Sequence, residues 1–122
     1  MEHSEGFLRF AEAARTRVRE ITPQEAQARV GSGDAVRFFD VREDHEWAAG
    51  HAANAEHLSR GIIERDIERM VPDKEAEIIL YCGGGYRSAL AADNLQKMGY
   101  RNVHSMKGGW SAWQEAALPV EA

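Results

Sequence analysis

The segment that most limits the folds open to this chain of 122 residues runs from Glu77 to Ser88. Glu77 leads into Ile78, Ile79, Leu80 and Tyr81, an apolar run of the length and composition of a strand buried on both faces. Cys82 follows, then Gly83, Gly84, Gly85, Tyr86 and Arg87, and helical periodicity resumes over residues 88–98, with Gly99 at the C-cap position. A doubly buried strand that turns through glycines into a helix belongs in a parallel sheet covered by helices.

The rest of the chain repeats the alternation. Phe7, Leu8, Phe10, Ala11, Ala14 and Val18 give an amphipathic helix within residues 5–18. Its apolar face suits an extension packed on the domain or a homodimer contact; Glu12 and Glu20 interrupt the basic face that a membrane-surface helix needs. Thr22, Pro23 and Glu25 make a capped helix start, and the turn formers Gly31, Ser32 and Gly33 end that helix. Residues 36–41 read as a buried strand, residues 44–48 as a short polar helix, residues 50–56 as a loop and residues 57–58 as a very short strand. Ile62, Ile63, Ile67 and Met70 give a helix over residues 60–70, which Pro72 stops. Residues 102–105 form another strand, Gly108 and Gly109 a turn, and residues 110–117 a last helix ahead of Pro119. Ligands of such sheets bind beyond the carboxyl ends of the strands, which is where residues 82–87 fall.

That loop carries chemistry. Glycine lets backbone N–H groups converge through conformations other residues avoid. The helix that follows adds unpaired donors and the positive end of its dipole, so the loop is a cradle for an anion. Arg87 adds a permanent charge at the rim. Cys82 starts the cradle, where such surroundings favour the thiolate, the nucleophilic form. A lone cysteine at a strand end is more often buried and inert. Three glycines, a helix start and an arginine beside it turn the balance toward a reactive group.

The segment from Tyr81 through Ala89 resembles the active-site loop of single-domain rhodaneses. Further matches lie at Phe39, Asp40, Val41, Arg42 and Glu43, at Glu46, Gly50 and His51, and at Met98, Gly99, Tyr100, Asn102, Val103, Gly108, Gly109, Trp110 and Trp113. The resemblance covers about residues 20–118, which leaves residues 1–19 as an N-terminal helical extension. It implies an α/β fold, a five-stranded parallel sheet flanked by helices on both faces, and a sulfurtransferase activity. Cys82 would take sulfane sulfur from thiosulfate or a persulfide donor, hold it as a persulfide, and pass it to a thiol or cyanide acceptor. Gly83, Gly84, Gly85, Tyr86, Arg87 and Ser88 would bind the substrate. The family pattern also suggests that Asp40 bonds nearby backbone and that Arg42 pairs with Glu46. This chain departs from the pattern where Ser59 replaces a common proline and where Asn54 and Ala55 replace a common Gly-Ala pair. Arg60, next to Ser59, could steer an anionic donor.

Two alternatives accompany this reading. One is a sulfur-relay or persulfide-sensing module that exchanges sulfur with a protein donor or acceptor and turns over little free thiosulfate. The other is the related phosphatases and arsenate reductases, which place five residues between Cys and Arg. Four lie between Cys82 and Arg87 here, a tighter ring suited to one sulfur atom. No cofactor and no metal are implied: His45, His51 and His57 recur every six residues, which is not a helical face, and the glycine run lacks the dinucleotide and P-loop spacings. Trp110 and Trp113 read as core anchors and Tyr86 as an exposed rim residue that shapes donor access. The net charge of −5 argues against nucleic acid or an anionic membrane as partner, and one cysteine excludes an intrachain disulfide. The first residues carry no basic region ahead of an apolar run, so the expected location is cytoplasmic.

Overall fold

Strands and helices alternate along the chain in the computed structural model, which describes residues 2–32 and 35–122. In order they are α1 (Glu5–Arg15), β1 (Arg19–Ile21), α2 (Pro23–Val30), β2 (Arg37–Asp40), α3 (Asp44–Ala48), β3 (His51–Ala52), β4 (Glu56–His57), α4 (Ile63–Met70), β5 (Ile78–Tyr81), α5 (Tyr86–Lys97), β6 (Val103–Met106), α6 (Gly109–Glu115) and β7 (Val120–Glu121). Gly33, part of the expected turn after α2, and Met1 lie outside the described residues. Five strands pair in the order β1-β6-β5-β2-β4, all parallel, so β5 is central. The α/β architecture implied by the resemblance is the one found.

Side-chain alternation along β5 divides the core. Ile78 and Leu80 point to one face, where they join Phe39, Val103 and residues of α4 and α5 such as Ile63, Ile67 and Leu95. Ile79 and Tyr81 point to the other, with Phe38, Met106, Ala26 of α2 and Trp113 of α6. All four β5 side chains are fully buried, each Ile or Leu contributing roughly 1.5–3 kcal/mol. Such a strand has no water-facing side and reads as an unbroken apolar run. Helix α1 forms an outer layer, burying Ala11 and Ala14 against Leu90 of α5.

Local signals hold where chemistry is local. Thr22 Oγ1 accepts the Glu25 N–H at 3.1 Å and Glu25 returns a bond to the Thr22 N–H at 2.9 Å, the capping box the sequence spells. Asn54 adopts φ 70, a left-handed turn conformation that asparagine tolerates better than most residues, so it serves where glycine is common. Several boundaries differ from expectation. α1 stops at Arg15 instead of 18, because residues 19–21 are drawn into an edge strand whose partners, His104 to Met106, lie far along the chain. α4 starts at Ile63 rather than 60, after Ile62 in a non-helical conformation with φ −127. The expected loop at residues 50–56 contains β3, which pairs antiparallel with β7. Two-residue strands are too short to show a period.

Candidate active site

The sheet order reverses between β2 and β5: the chain leaves β2 toward β4 at one edge, and leaves β5 toward β6 on the other side. Connections that diverge in this way open a crevice at the carboxyl ends of the two strands. Cys82 follows β5 directly and Asp40 and Arg42 end β2, so both loops face that crevice. A cavity of about 420 Å³ opens there, with Cys82 among its lining residues beside His3, Phe7, Glu46, Arg60, Tyr86 and Arg87.

The loop is shorter than expected, because Tyr86 and Arg87 already belong to the first turn of α5. Gly85 makes this possible. It occupies the N-cap position with φ 104, in the left-handed region, and a Cβ there would press on the backbone of Gly108 at 3.3 Å. In this conformation its N–H donates to Cys82 Sγ at 3.1 Å. The thiol lies 3.5 Å from Ser88 Oγ, itself 2.8 Å from Ser105 Oγ on β6. Cys82 is nearly fully buried as a residue, so its sulfur meets solvent only through the cavity.

A second clamp acts from below. The Trp110 N–H donates to the Cys82 carbonyl at 2.7 Å, and the Ser111 N–H to the Gly83 carbonyl at 3.1 Å. These are orphan donors of the first turn of α6, satisfied by the loop. The approach requires Gly109, with φ 54, whose Cβ would overlap the Cys82 carbonyl oxygen. Gly108 and Gly109, read from the sequence as a turn, therefore hold the cysteine loop in place.

The ion pairs around the site are not those the family pattern suggests. Arg42 does not pair with Glu46. Its guanidinium bonds both carboxylate oxygens of Asp40, at 2.8–3.1 Å, and the Gly50 carbonyl at 2.7 Å, and Asp40 also accepts the Arg42 N–H at 2.9 Å. Asp40 ends β2 and Arg42 follows two residues later, where the bend turns its fork back onto that carboxylate, and the pair lies buried beneath Trp110. Glu46 is thereby left to Arg87, which it grips with two bonds of 2.8 and 3.0 Å. The Arg87 guanidinium, helped by the Glu43 N–H, holds the Glu46 carboxyl at about 2, well below the usual 4.5. Arg87 thus reaches the rim as expected, but its charge is already matched. Among the described residues Arg60 has no ion-pair partner and presents the open positive charge of the cavity wall.

Tyr86 is half-buried rather than exposed. The rings of His3 and Phe7 meet it edge-on, with centroids at 5.3 and 6.1 Å. His3 and Phe7 had no sequence signal beyond membership of an amphipathic segment. Trp113 is a core anchor, 1% exposed, whereas Trp110 is only partly buried. His51 and His57 stack on Trp47, with centroids 3.4 and 5.1 Å from its ring. Among the described residues no group of three or more His, Cys, Asp or Glu is arranged to hold a metal, and no helix is long and apolar enough to cross a membrane.

A family model described as the rhodanese-like domain matches residues 22–116. The chain belongs to the rhodanese-like domain family. Thiosulfate sulfurtransferase GlpE of Actinobacillus pleuropneumoniae serotype 7 is 30% identical over 102 residues, which span 84% of this chain and 92% of that relative. Among solved structures, a Rhodopseudomonas palustris protein described as of unknown function and a possible tyrosine phosphatase superposes with a TM-score of 0.87 at 26% identity, covering 99% of this chain and 98% of that one. The homodimeric polysulfide-sulfur transferase of Wolinella succinogenes has the same fold, with a TM-score of 0.80 at 24% identity over 95% of this chain and 87% of its own. The family match begins at residue 22, after α1 and β1, whereas the superposition on the Rhodopseudomonas palustris protein extends over 99% of this chain.

Proposed function

We propose that this protein is a sulfurtransferase in which Cys82 carries sulfur as a persulfide, with residues 20–118 as the working domain and residues 1–19 as an extension. The observation that carries the reading is the Gly85 N–H aimed at Cys82 Sγ, 3.1 Å away, on the floor of a cavity at the N-terminus of α5. In the first half-reaction the thiolate attacks the outer sulfur of thiosulfate. A new S–S bond forms at Sγ, the S–S bond of the donor breaks, and its electron pair leaves on sulfite. In the second, a thiolate or cyanide takes the outer sulfur and Cys82 departs as thiolate. Negative charge develops near Sγ in both steps. The fixed Gly85 donor, the Ser88 hydroxyl and the helix dipole oppose it without having to reorganise. Gly83, Gly84 and Tyr86 shape the cradle, and Arg60, without an ion-pair partner among the described residues, draws the anionic donor.

The phosphatase reading has less support. It needs an arginine free to bind oxyanion oxygens, whereas Arg87 is committed to Glu46 by two hydrogen bonds. Intact mass measured after incubation with thiosulfate tests the proposal. The parent should gain one sulfur that cyanide removes, and Cys82→Ser should gain none. No gain in the parent with any sulfane donor, or phosphatase turnover in its place, would overturn it.

A further inference from the structure

The sulfurtransferase reading accounts for the floor of the cavity but not for its outer wall, which Phe7 of α1, His3 just ahead of that helix and Tyr86 of α5 supply. His3, Phe7 and Tyr86 form a mutual cluster of three rings. His3 and Phe7 have centroids 5.1 Å apart, and Tyr86 meets both edge-on at 5.3 and 6.1 Å. Geometries of this kind are the favoured ones for aromatic pairs. His3 and Phe7 are half-buried and line the same cavity as Cys82.

The wall is firmly seated. Ser4 caps α1 by accepting the Phe7 N–H at 3.3 Å. Ala11 and Ala14 are completely buried against α5, and side chains this small let the two helices approach closely. Beyond the helix, Arg17 bonds both oxygens of Asp93 at 3.0 and 2.8 Å, and Gln96 donates to the Arg17 carbonyl at 2.8 Å. The position of Phe7 over the cavity is thus set by contacts at the far end of its own helix.

The cavity is also larger than an inorganic donor requires. At about 420 Å³ it falls in the range of pockets that hold organic ligands, roughly 300–1,000 Å³. A small oxyanion would fill only a fraction of it. Its lining combines the rings of His3, Phe7 and Tyr86 with the open charge of Arg60, and the neighbouring Arg87 is neutralised by Glu46.

We infer that His3 and Phe7, with Tyr86, form a specificity wall that makes Cys82 selective for sulfane donors and thiol acceptors bearing an apolar organic group. The inference rests on the sulfurtransferase reading and adds the substrate class to it. An organic thiosulfonate, R–SO2–S⁻, transfers its outer sulfur to the Cys82 thiolate. The donor S–S bond breaks and the electron pair leaves on the sulfinate, R–SO2⁻. An organic thiolate then removes that sulfur as R–S–S⁻ and restores the Cys82 thiolate. Neither step needs an oxidant or a reductant. The group R is what packs on the three rings.

The test compares kcat/KM for benzenethiosulfonate and methanethiosulfonate, each corrected for its rate with a free thiol in solution. The two share a reacting group and differ in R. The parent should prefer the phenyl donor by at least about 10-fold, the scale on which apolar pockets discriminate. Phe7→Ala should cut that preference by about 2- to 10-fold, the worth of one aromatic contact. Phe10→Ala, on the same helix but 61% exposed, should leave it intact. The ratio is read within one enzyme, so a smaller folded fraction cancels. A parent ratio near one, an unchanged ratio in Phe7→Ala, or an equal fall in Phe10→Ala overturns the wall. If sulfur still appears on Cys82 by intact mass in those cases, the sulfurtransferase reading stands alone. If no donor adds sulfur to Cys82, both fall.

Discussion

Replacing Gly109 by alanine tests whether the cysteine loop is held from below by α6. Gly109 has φ 54, and an L side chain in the left-handed region costs roughly 1–2 kcal/mol. Its new Cβ would overlap the Cys82 carbonyl oxygen and lie 2.9 Å from the carbonyl carbons of Cys82 and Gly83. Those atoms are backbone, so either the loop or α6 must move, an overpacking cost of about 1–3 kcal/mol. The sum, about 2–5 kcal/mol, is a large part of the ~5–15 kcal/mol typical of a domain. Urea unfolding should show it directly, and the melting temperature should fall by about 8–20 °C at ~4 °C per kcal/mol for a chain of this size. The movement also acts on function. It disturbs the bonds from Trp110 and Ser111 to the Cys82 and Gly83 carbonyls, and a shift of about 1 Å at a reacting atom can cost ~100-fold in rate. Persulfide formation, timed by mass, should slow accordingly. Gly84→Ala is the control for stability, since a Cβ there meets nothing within 4 Å. If Gly109→Ala unfolds within about 0.5 kcal/mol of the parent, the loop and α6 are not in the contact described.

Glu46 titrates at about 2 in the folded protein against 4.5 ordinarily, so its contribution is complete above about pH 4.5 and disappears as the pH falls toward 2. Melting curves across that window should fall for the parent by on the order of 1–3 kcal/mol more than for Glu46→Gln; parallel curves would count against the Arg87 pairing. Asp40→Ala should cost about 3–5 kcal/mol in chemical denaturation, because it strands the buried Arg42 guanidinium, and a loss below about 1 kcal/mol would contradict that geometry. Burial holds the His104 imidazole below its ordinary value of 6.5, and among the described residues its Nδ1 has no hydrogen-bond partner, the Glu77 carboxylate lying 3.8 Å away. The unfolded chain therefore binds a proton there first, and stability should decline as pH drops below about 6.5; His104→Gln should remove that slope, and an unchanged slope would place its origin elsewhere.

The elements most legible in the sequence are those whose signal is local. The apolar run of β5, the capping box of α2 and the glycine loop after Cys82 each depend on neighbours within a few residues, and each lies where its pattern indicates. The candidate nucleophile is legible for the same reason: strand, thiol, glycines and helix are contiguous. Tertiary structure decided the partnerships. Arg42 stands among four carboxylates in the sequence, Asp40, Glu43, Asp44 and Glu46, and only the bend after β2 selects Asp40 and leaves Glu46 for Arg87, 41 residues away. Gly109 abuts the Cys82 carbonyl because parallel strands return each crossover to the same edge of the sheet, which no spacing along the chain reveals. The edge strand β1 and the β3–β7 pair are too short to carry a period and exist through partners more than 60 residues distant. His3 and Phe7 reach the cavity through the packing of α1 on α5. Periodicity marked that helix as having an apolar face, but a one-dimensional pattern does not say which surface that face will cover.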